Sequence, residues 1–268
     1  MRRRRFLASS LAASALAVEA SKSALLGAQA AGGQGREYYE LRRYHLTSGS
    51  QKKLTDTYLS EALIPGLNRL GIRPIGVFNV AVGMESPSVY VLIPCTSVEK
   101  LVNVDFQLEK DSDYMKAGEA FLKAPAQDPA YIRLESSLLI AFEGRPHLTV
   151  PAATAKQGAR IFELRTYESP STFDHRRKVE MFHSGEFDIF KQAGFSPVFY
   201  GDSLIGSHLP NLTYMLAFES EDDRAKLWKA FMSAPEWKKL SAEKRFNFES
   251  IVTNVTNQLL SPAPYSQI

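Results

Sequence analysis

Cysteine is almost absent from this chain of 268 residues, in which Cys95 is the only one. A single cysteine excludes an internal disulfide and every Cys-x-x-Cys metal or redox motif. Cys95 ends an apolar run over residues 89–94, so we expect a buried small hydrophobe there and not a catalytic thiol. The sequence also has no glycine-rich phosphate loop after a predicted strand and no serine nucleophile elbow. Neither a nucleotide-binding enzyme nor a serine hydrolase is therefore indicated.

A long hydrophobic run is missing too, and the N-terminal segment comes nearest to one. Four arginines at residues 2–5 precede a mildly apolar stretch rich in Ala and Ser, which is too weak for a membrane span. Ala28 and Ala30 supply the small residues that a signal peptidase reads. We predict a twin-arginine-type signal peptide over residues 1–30, cleavage near Ala30, export to the periplasm and no stable membrane insertion afterwards. An uncleaved anchor or a basic tail is the alternative.

Excess positive charge is confined to this leader. The formal net charge of the whole chain is +3, and residues 1–30 contain five basic residues and one acidic residue. The remainder of the chain therefore has a net charge of −1. Because a basic surface is the electrostatic signature of nucleic-acid binding, no nucleic-acid partner is predicted.

What the chain does contain is an internal repeat. Residues 40–44 read Glu-Leu-Arg-Arg-Tyr, and residues 163–167, 123 positions later, read Glu-Leu-Arg-Thr-Tyr. The same offset relates four further pairs of turn-forming residues, which are Gly71 and Gly194, Pro74 and Pro197, Gly83 and Gly206, and Pro87 and Pro210. A duplication follows, with a first domain over residues 36–145, a linker over 146–158 and a second domain over 159–262.

Each copy has the pattern of a β-α-β-β-α-β unit, the ferredoxin-like order. In the first copy, strands are predicted at 38–44, 74–82, 89–93 and 131–142, with a helix over 52–70 and a mostly helical segment over 97–122 in at least two pieces. In the second copy, strands are predicted at 161–167, 197–205 and 212–218, with helices over 173–192 and 221–233 and a final strand or pair of segments over 246–260. Pro65 predicts a kink or a break in the first helix. An insertion in the first copy falls between about residues 99 and 116.

Two such units in one chain predict an α+β fold in which the sheets pack against each other. A ferredoxin-like sheet carries helices on one face only, so its other face needs a cover. The expected result is an intramolecular dimeric α/β barrel with helices outside. In this arrangement we expect Leu41 and Leu164 to face the helices. The polar residues of the same strands would face between the sheets and pair there, and they are Glu40, Arg42, Tyr44, Glu163, Arg165 and Tyr167.

Several motifs resemble those of the NIPSNAP family. Glu-Leu-Arg-x-Tyr near the start of each copy is one, and others span residues 185–190, 194–201, 210–216 and 235–240. The resemblance covers the second copy closely and the first more loosely, because residues 88–90 and the insertion depart from the pattern. It implies the dimeric α/β-barrel fold, which small cofactor-free monooxygenases share. It implies no settled reaction, since the members are mostly described as proteins of unknown or vesicle- and mitochondria-related function.

The first strand of the second copy carries the preferred ligand-binding candidates. Arg165 and Tyr167, facing an enclosed space, would hold an anionic or phenolic ligand and donate a proton, with Glu163 beside them. The structural alternative is a Glu163–Arg165 pair that only locks the two sheets together.

Three further candidates are found in the second copy only. His183 and Glu186 are three positions apart on a predicted helix, the spacing of a metal pair. No other cluster has ligand spacing, so no metal is predicted, and the alternative sets His183 against the apolar stripe with Glu186 in solvent. Tyr200 is the third candidate. If the protein has chemistry, we expect it where the two copies differ.

Two functions stay open at this point. The first is a small-molecule binding protein that uses a cavity of the barrel, with a monooxygenase-like reaction as an extension and no cofactor predicted. The alternative is a non-catalytic interaction or scaffold protein in which the repeated Glu-Arg-Tyr set only joins the two halves. A homo-oligomer is compatible with either function.

Overall fold

The computed structural model describes residues 35–47, 49–83, 86–155 and 160–268. The predicted signal peptide and its cleavage site near Ala30 lie outside these residues. None of the helices in the described ranges is both long and apolar enough to cross a membrane.

Eight antiparallel strands close into a single barrel. The first half contributes β1 (Tyr38–His45), β2 (Gly76–Val82), β3 (Ser88–Cys95) and β4 (Arg133–Ala141). The second half contributes β5 (Ile161–Glu168), β6 (Ser196–Ile205), β7 (Asn211–Phe218) and β8 (Asn254–Pro262). The order around the barrel is β1-β3-β2-β8-β5-β7-β6-β4. The predicted barrel of two ferredoxin-like units is thus confirmed.

Helices cover the outside of the barrel. The first half carries α1 (Ser50–Tyr58), α2 (Ile64–Arg69), α3 (Val98–Val102), α4 (Val104–Leu108), α5 (Ser112–Ala117) and α6 (Glu119–Leu122). A short α7 (Ala152–Ala155) precedes the second half, which carries α8 (Thr172–Met181), α9 (Phe187–Ala193), α10 (Glu221–Ser233), α11 (Pro235–Ser241) and α12 (Phe248–Ile251). The predicted insertion coincides with α3 to α5. The last strand is shorter than predicted, because residues 248–251 are helical.

Closure of the barrel depends on the edge strands of each half. Within one half the strand order is β4-β1-β3-β2, and within the other it is β8-β5-β7-β6. Edge strand β2 pairs with β8, and edge strand β4 pairs with β6, both antiparallel. The edge strands of each half therefore form hydrogen bonds with those of the other half. In an open sheet these backbone groups would be exposed to solvent.

A π-helical turn interrupts the first helix in both halves. It spans Leu59–Leu63 between α1 and α2, and Phe182–Glu186 between α8 and α9, at the 123-residue offset of the repeat. The predicted interruption near Pro65 is therefore present, but proline is not its cause. The second half has Asp188 at the corresponding position and the same turn.

The sheet faces are the reverse of the prediction. Leu41 and Leu164 lie inside the barrel with an apolar cluster that includes Phe162 and Met215. Tyr44 and Tyr167 instead pack against the helices of their own halves. Alternation along a strand determines which residues share a face, but it does not determine which face meets the helices. The polar face is directed to the helical layers because those layers supply its hydrogen-bond partners.

One end of the barrel is closed by apolar residues and by the C-terminal segment. Ile268 is fully buried in the interior cluster, and Leu148 packs against the same cluster. The backbone N–H groups of Ala263 and Gln267 donate to the carbonyls of Val77 and Ile75, which extends the contact between the halves. Access to the barrel interior is consequently from the opposite end.

Candidate functional site

The open end of the barrel forms a cavity of about 470 Å³. Its lining comes from the strand positions that point inward, at alternate residues. Leu41, Leu139, Leu164 and Tyr90 supply the apolar part of its surface. Hydroxyl and amide side chains supply most of the rest, among them Ser137, Thr166, Ser203, Asn211, Thr213, Asn254, Thr256 and Gln258. The cavity therefore combines an apolar surface with many hydrogen-bonding groups.

The wall formed by β1 and β4 carries a cluster of charged side chains. Arg43 and Arg133 each have a guanidinium nitrogen 3.9 Å from a carboxylate oxygen of Glu135, and His45 Nε2 lies 3.0 Å from the same carboxylate. Partial burial opposes ionisation of Glu135, but the hydrogen bond from His45 and the two arginines outweigh it and lower its pKa. Of these side chains, Arg43 and Glu135 line the cavity, whereas His45 and Arg133 lie in a neighbouring surface pocket beside Pro87.

The wall formed by β5 and β8 has a different character. Glu168 Oε1 accepts a hydrogen bond of 2.9 Å from Asn254 Nδ2, and Glu168 Oε2 lies 3.8 Å from Nδ1 of the exposed His208. Gln258 Nε2 donates to the Tyr90 hydroxyl at 2.8 Å. Gln258 Oε1 is buried and has no hydrogen-bond partner within the described part of the chain. This wall offers a carboxylate and an unfilled acceptor.

The predicted residues Glu163, Arg165 and Tyr167 lie on the outer side of β5 and not in this cavity. Glu163 is fully buried and accepts four hydrogen bonds, from Arg165 Nη1 (2.9 Å), Arg224 Nη2 (2.9 Å), Asn257 Nδ2 (2.6 Å) and Trp228 Nε1 (2.7 Å). Arg165 Nη2 also donates to the Tyr167 hydroxyl at 3.0 Å. The set fastens β5 to α10 and β8.

A buried ion pair lies beside this network. Lys178 Nζ donates to Glu186 Oε2 at 2.7 Å, and both side chains are almost completely buried. The Lys178 ammonium also lies over the rings of Tyr167 and Phe182, at 5.2 and 4.6 Å from their centroids. Burial raises the pKa of Glu186 despite the adjacent Lys178. The alternative that set Glu186 in solvent is therefore wrong.

His183 and Tyr200 have separate surroundings. His183 Nδ1 lies 2.9 Å from the Val179 carbonyl, and the Gly144 N–H donates to His183 Nε2 at 3.2 Å, so backbone groups occupy both ring nitrogens. Tyr200 is buried and stacks on Tyr214, with ring centroids 5.5 Å apart. Over the described ranges, no cluster of three or more His, Cys, Asp or Glu side chains has an arrangement for a metal ion.

The first-half counterparts form a smaller set with a similar function. Arg42 Nε donates to Glu40 Oε1 at 2.7 Å, and Arg42 Nη2 donates to Asp105 at 2.9 Å. Ser136 Oγ donates to Glu40 at 2.8 Å. Among the described residues, no hydrogen bond joins Glu40, Arg42, Glu163 or Arg165 to a residue of the opposite half. The hypothesis that the repeated Glu-Arg-Tyr set joins the two halves is therefore wrong.

Sequence reasoning missed the residues that line the cavity. Arg43, Thr166 and Glu168 are neighbours of the chosen candidates on the same strands, on the opposite face. The sequence could have indicated them, because the repeat aligns Arg43 with Thr166 and His45 with Glu168, and the two copies differ at both positions. It also missed Lys178, since a lysine in a helix is usually exposed.

Comparison with known proteins defines the family. The sequence matches the NIPSNAP family model over residues 39–130 and 162–267. No curated protein matches the chain. The fold is similar to that of a proposed monooxygenase from Lactobacillus acidophilus, with 9% identity, coverage of 85% of this chain and 94% of that chain, and a TM-score of 0.57.

Two further structures are similar. A proposed monooxygenase from Fusobacterium nucleatum is 9% identical, with coverage of 86% of this chain and 94% of that chain and a TM-score of 0.54. A NIPSNAP family protein of unknown function from Agrobacterium tumefaciens is 23% identical over 39% of this chain and 89% of its own, with a TM-score of 0.35. At these identities the monooxygenase likenesses show the fold alone. With its family model matched twice along one eight-stranded barrel, the chain belongs to the NIPSNAP family.

Proposed function

We propose that this protein binds a small organic molecule in the open end of its barrel. The observation that carries the proposal is the cavity of about 470 Å³ with an apolar surface and a polar wall. Sites for small molecules in proteins typically have volumes of about 300–1,000 Å³ and combine apolar walls with a few polar groups. The proposal keeps the predicted class of function and moves the site to the inner face of β5.

The outer network has a positioning role in this proposal. Glu163 and Arg165 fasten β5 to α10, and the inward residues Thr166 and Glu168 are on the same strand. A strand held on its outer face keeps its inner side chains in fixed positions, as a preorganised site requires.

A reaction on the bound molecule is an extension of the proposal. Two proteins with a similar fold are described as proposed monooxygenases. We propose binding without a resident cofactor, so a monooxygenase-like reaction would require the bound molecule to supply the electrons. Export to the periplasm stays part of the proposal, with the mature chain beginning after Ala30.

The test fills the cavity with one side chain. Thr256→Phe introduces an aromatic ring at a lining position of β8, whereas Ser261→Phe introduces the same ring at an exposed position of the same strand. We expect Thr256→Phe to abolish ligand binding and Ser261→Phe to retain it, because only the first ring occupies the cavity.

Native mass spectrometry of the protein recovered from the periplasm measures both the bound molecule and the chain mass expected after cleavage near Ala30. Ligand-observed NMR with a fragment library supplies ligands if none copurifies, and oxygen uptake measures turnover in the same variants. Equal binding by both variants would exclude the cavity as the site. Absence of any ligand for the wild type would favour a non-catalytic interaction or scaffold protein in which the Glu-Arg-Tyr set does not join the two halves.

A further inference from the structure

The two walls of the cavity are related by the repeat but differ in charge. β1 and β5 are corresponding strands and lie four positions apart around the eight-stranded barrel, so they face each other across it. Arg43 on β1 corresponds to Thr166 on β5, and His45 corresponds to Glu168. A duplication without later substitutions would give two walls with the same residues. The two halves carry different residues at these positions, of which Arg43, Thr166 and Glu168 line the cavity.

The neighbouring strands complete each wall. On β4, Glu135 pairs in register with Arg43 and lines the cavity with it, whereas Arg133 pairs with His45 and lies with it in a separate surface pocket. On β8, Thr256 and Asn254 pair in register with Thr166 and Glu168, which leaves one carboxylate and neutral groups. With histidine neutral, the lining of the first wall has one arginine and a formal charge of 0, and the lining of the second has no permanent cation and a formal charge of −1.

The unfilled acceptor lies on the negative wall. Gln258 is on β8, its side chain is 5% exposed, and its Oε1 accepts no hydrogen bond from the described residues. A buried acceptor without a donor is unfavourable, so a donor from a ligand would be favoured at this position. Charge and hydrogen bonding therefore both indicate a donor group at the β5–β8 wall.

From these observations we infer that the cavity takes a small zwitterion. Its carboxylate faces Arg43, its protonated amine faces Glu168 and Gln258, and its apolar body lies on Leu41 and Leu164. This inference rests on the proposed function, since it names the class of molecule that the cavity selects.

Four probes of similar size separate the contributions. L-Phenylalanine has both charges, 2-phenylethylamine has only the amine, 3-phenylpropionate has only the carboxylate, and 3-phenylpropanol has neither. Titration calorimetry with the full-length mature protein is expected to rank L-phenylalanine first and 3-phenylpropanol last, because each charge meets its complement on one wall.

Two variants test the assignment of each charge to its wall. Glu168→Gln should weaken L-phenylalanine and 2-phenylethylamine by about tenfold and leave 3-phenylpropionate unchanged, since only the amine loses its partner. Arg43→Gln should weaken L-phenylalanine and 3-phenylpropionate and leave 2-phenylethylamine unchanged. The probe that each variant still binds shows that its cavity has folded.

The outcomes distinguish this inference from the proposed function. Binding of 3-phenylpropanol as tight as that of L-phenylalanine, or equal loss of all probes in both variants, overturns the zwitterion. A ligand that Thr256→Phe abolishes but that lacks opposite charges also overturns it, while the proposed function stands. If neither these probes nor the fragment library yields a ligand whose binding is sensitive to Thr256→Phe, both the zwitterion and the proposed function are wrong.

Discussion

At the scale of single residues, Glu163 combines complete burial with four hydrogen bonds to one carboxylate. Burial alone would oppose its ionisation, but hydrogen bonds from Arg224 and Trp228 and the charge of Arg165 lower its pKa below the ordinary value of 4.5. The charged form is therefore the one that the fold stabilises. A carboxyl group of lowered pKa contributes stability above its unfolded pKa, and this stability is lost as the pH falls through the folded pKa.

Glu163→Gln is expected to lower the free energy of unfolding by about 2 kcal/mol near neutral pH, because two arginines lose a charged acceptor. The difference should shrink as the pH falls below the ordinary carboxyl pKa of 4.5 and through the lower pKa of the folded protein, because the wild-type carboxyl then becomes protonated. Urea unfolding across this pH range measures the difference. Glu119→Gln removes an exposed carboxyl with a salt bridge of its own and serves as the control. A difference that stays constant with pH would contradict the argument.

The residue pattern of β5 predicted which of its side chains pair with each other better than it predicted which elements surround them. The spacing of Glu163 and Arg165 predicted their ion pair correctly, since alternate residues of a strand share a face. It did not predict that this face meets α10, because the donors on Arg224, Trp228 and Asn257 are about 60–95 positions away in sequence. Whether a polar strand face meets helices or a second sheet depends on such distant partners.

At the scale of elements, the π-turns are the most informative repeated feature. The turn occurs in both halves at the same offset, yet only the second half carries a buried ion pair there. Thr55 and Leu63 occupy the positions that correspond to Lys178 and Glu186. The first half therefore folds the same turn without charges, so the pair is not required for the turn to form.

Lys178→Met is expected to lower the free energy of unfolding by about 3–5 kcal/mol, because Glu186 is left buried without a partner. Glu186→Leu should have a similar effect for the opposite reason. The double variant should recover most of the loss, since apolar side chains of similar volume can replace a buried pair at little cost. Chemical denaturation of the four proteins measures the coupling. Losses that simply add would show that each charge has other partners.

The order of elements was readable from the sequence, whereas the cause of the interruption near Pro65 and the number of short helices over residues 98–122 were not. Alternation and turn residues located all eight strands, and the last was placed too early because α12 precedes it. The segment over residues 98–122 consists of four short helices, which depend on packing against the first half and not on a continuous helical pattern.

At the scale of the whole molecule, the barrel is a pseudo-dimer. Strand β2 corresponds to β6 and β4 corresponds to β8, so both seams join the same pair of edge types. The repeat made this closure predictable, because a half with one uncovered sheet face needs a partner of the same kind. The cavity was not predictable from the repeat, since it depends on the positions at which the halves differ.

The same symmetry predicts the behaviour of the second half alone. A fragment of residues 158–268 would expose the edges of β6 and β8 and the apolar inner side of β5 and β7, including Phe162, Leu164 and Met215. Two copies can cover these surfaces by pairing β8 of one with β6 of the other at both seams, as β8 pairs with β2 and β6 with β4 in the intact chain. We therefore expect light scattering to give the mass of two fragment chains, which together form one closed barrel. Val198→Lys would introduce a charge into the buried inner surface and should prevent the dimer.

A folded, soluble monomer of the unmodified fragment would show that the inner sheet face does not need a second sheet. The need to cover this face would then not be the reason for barrel closure.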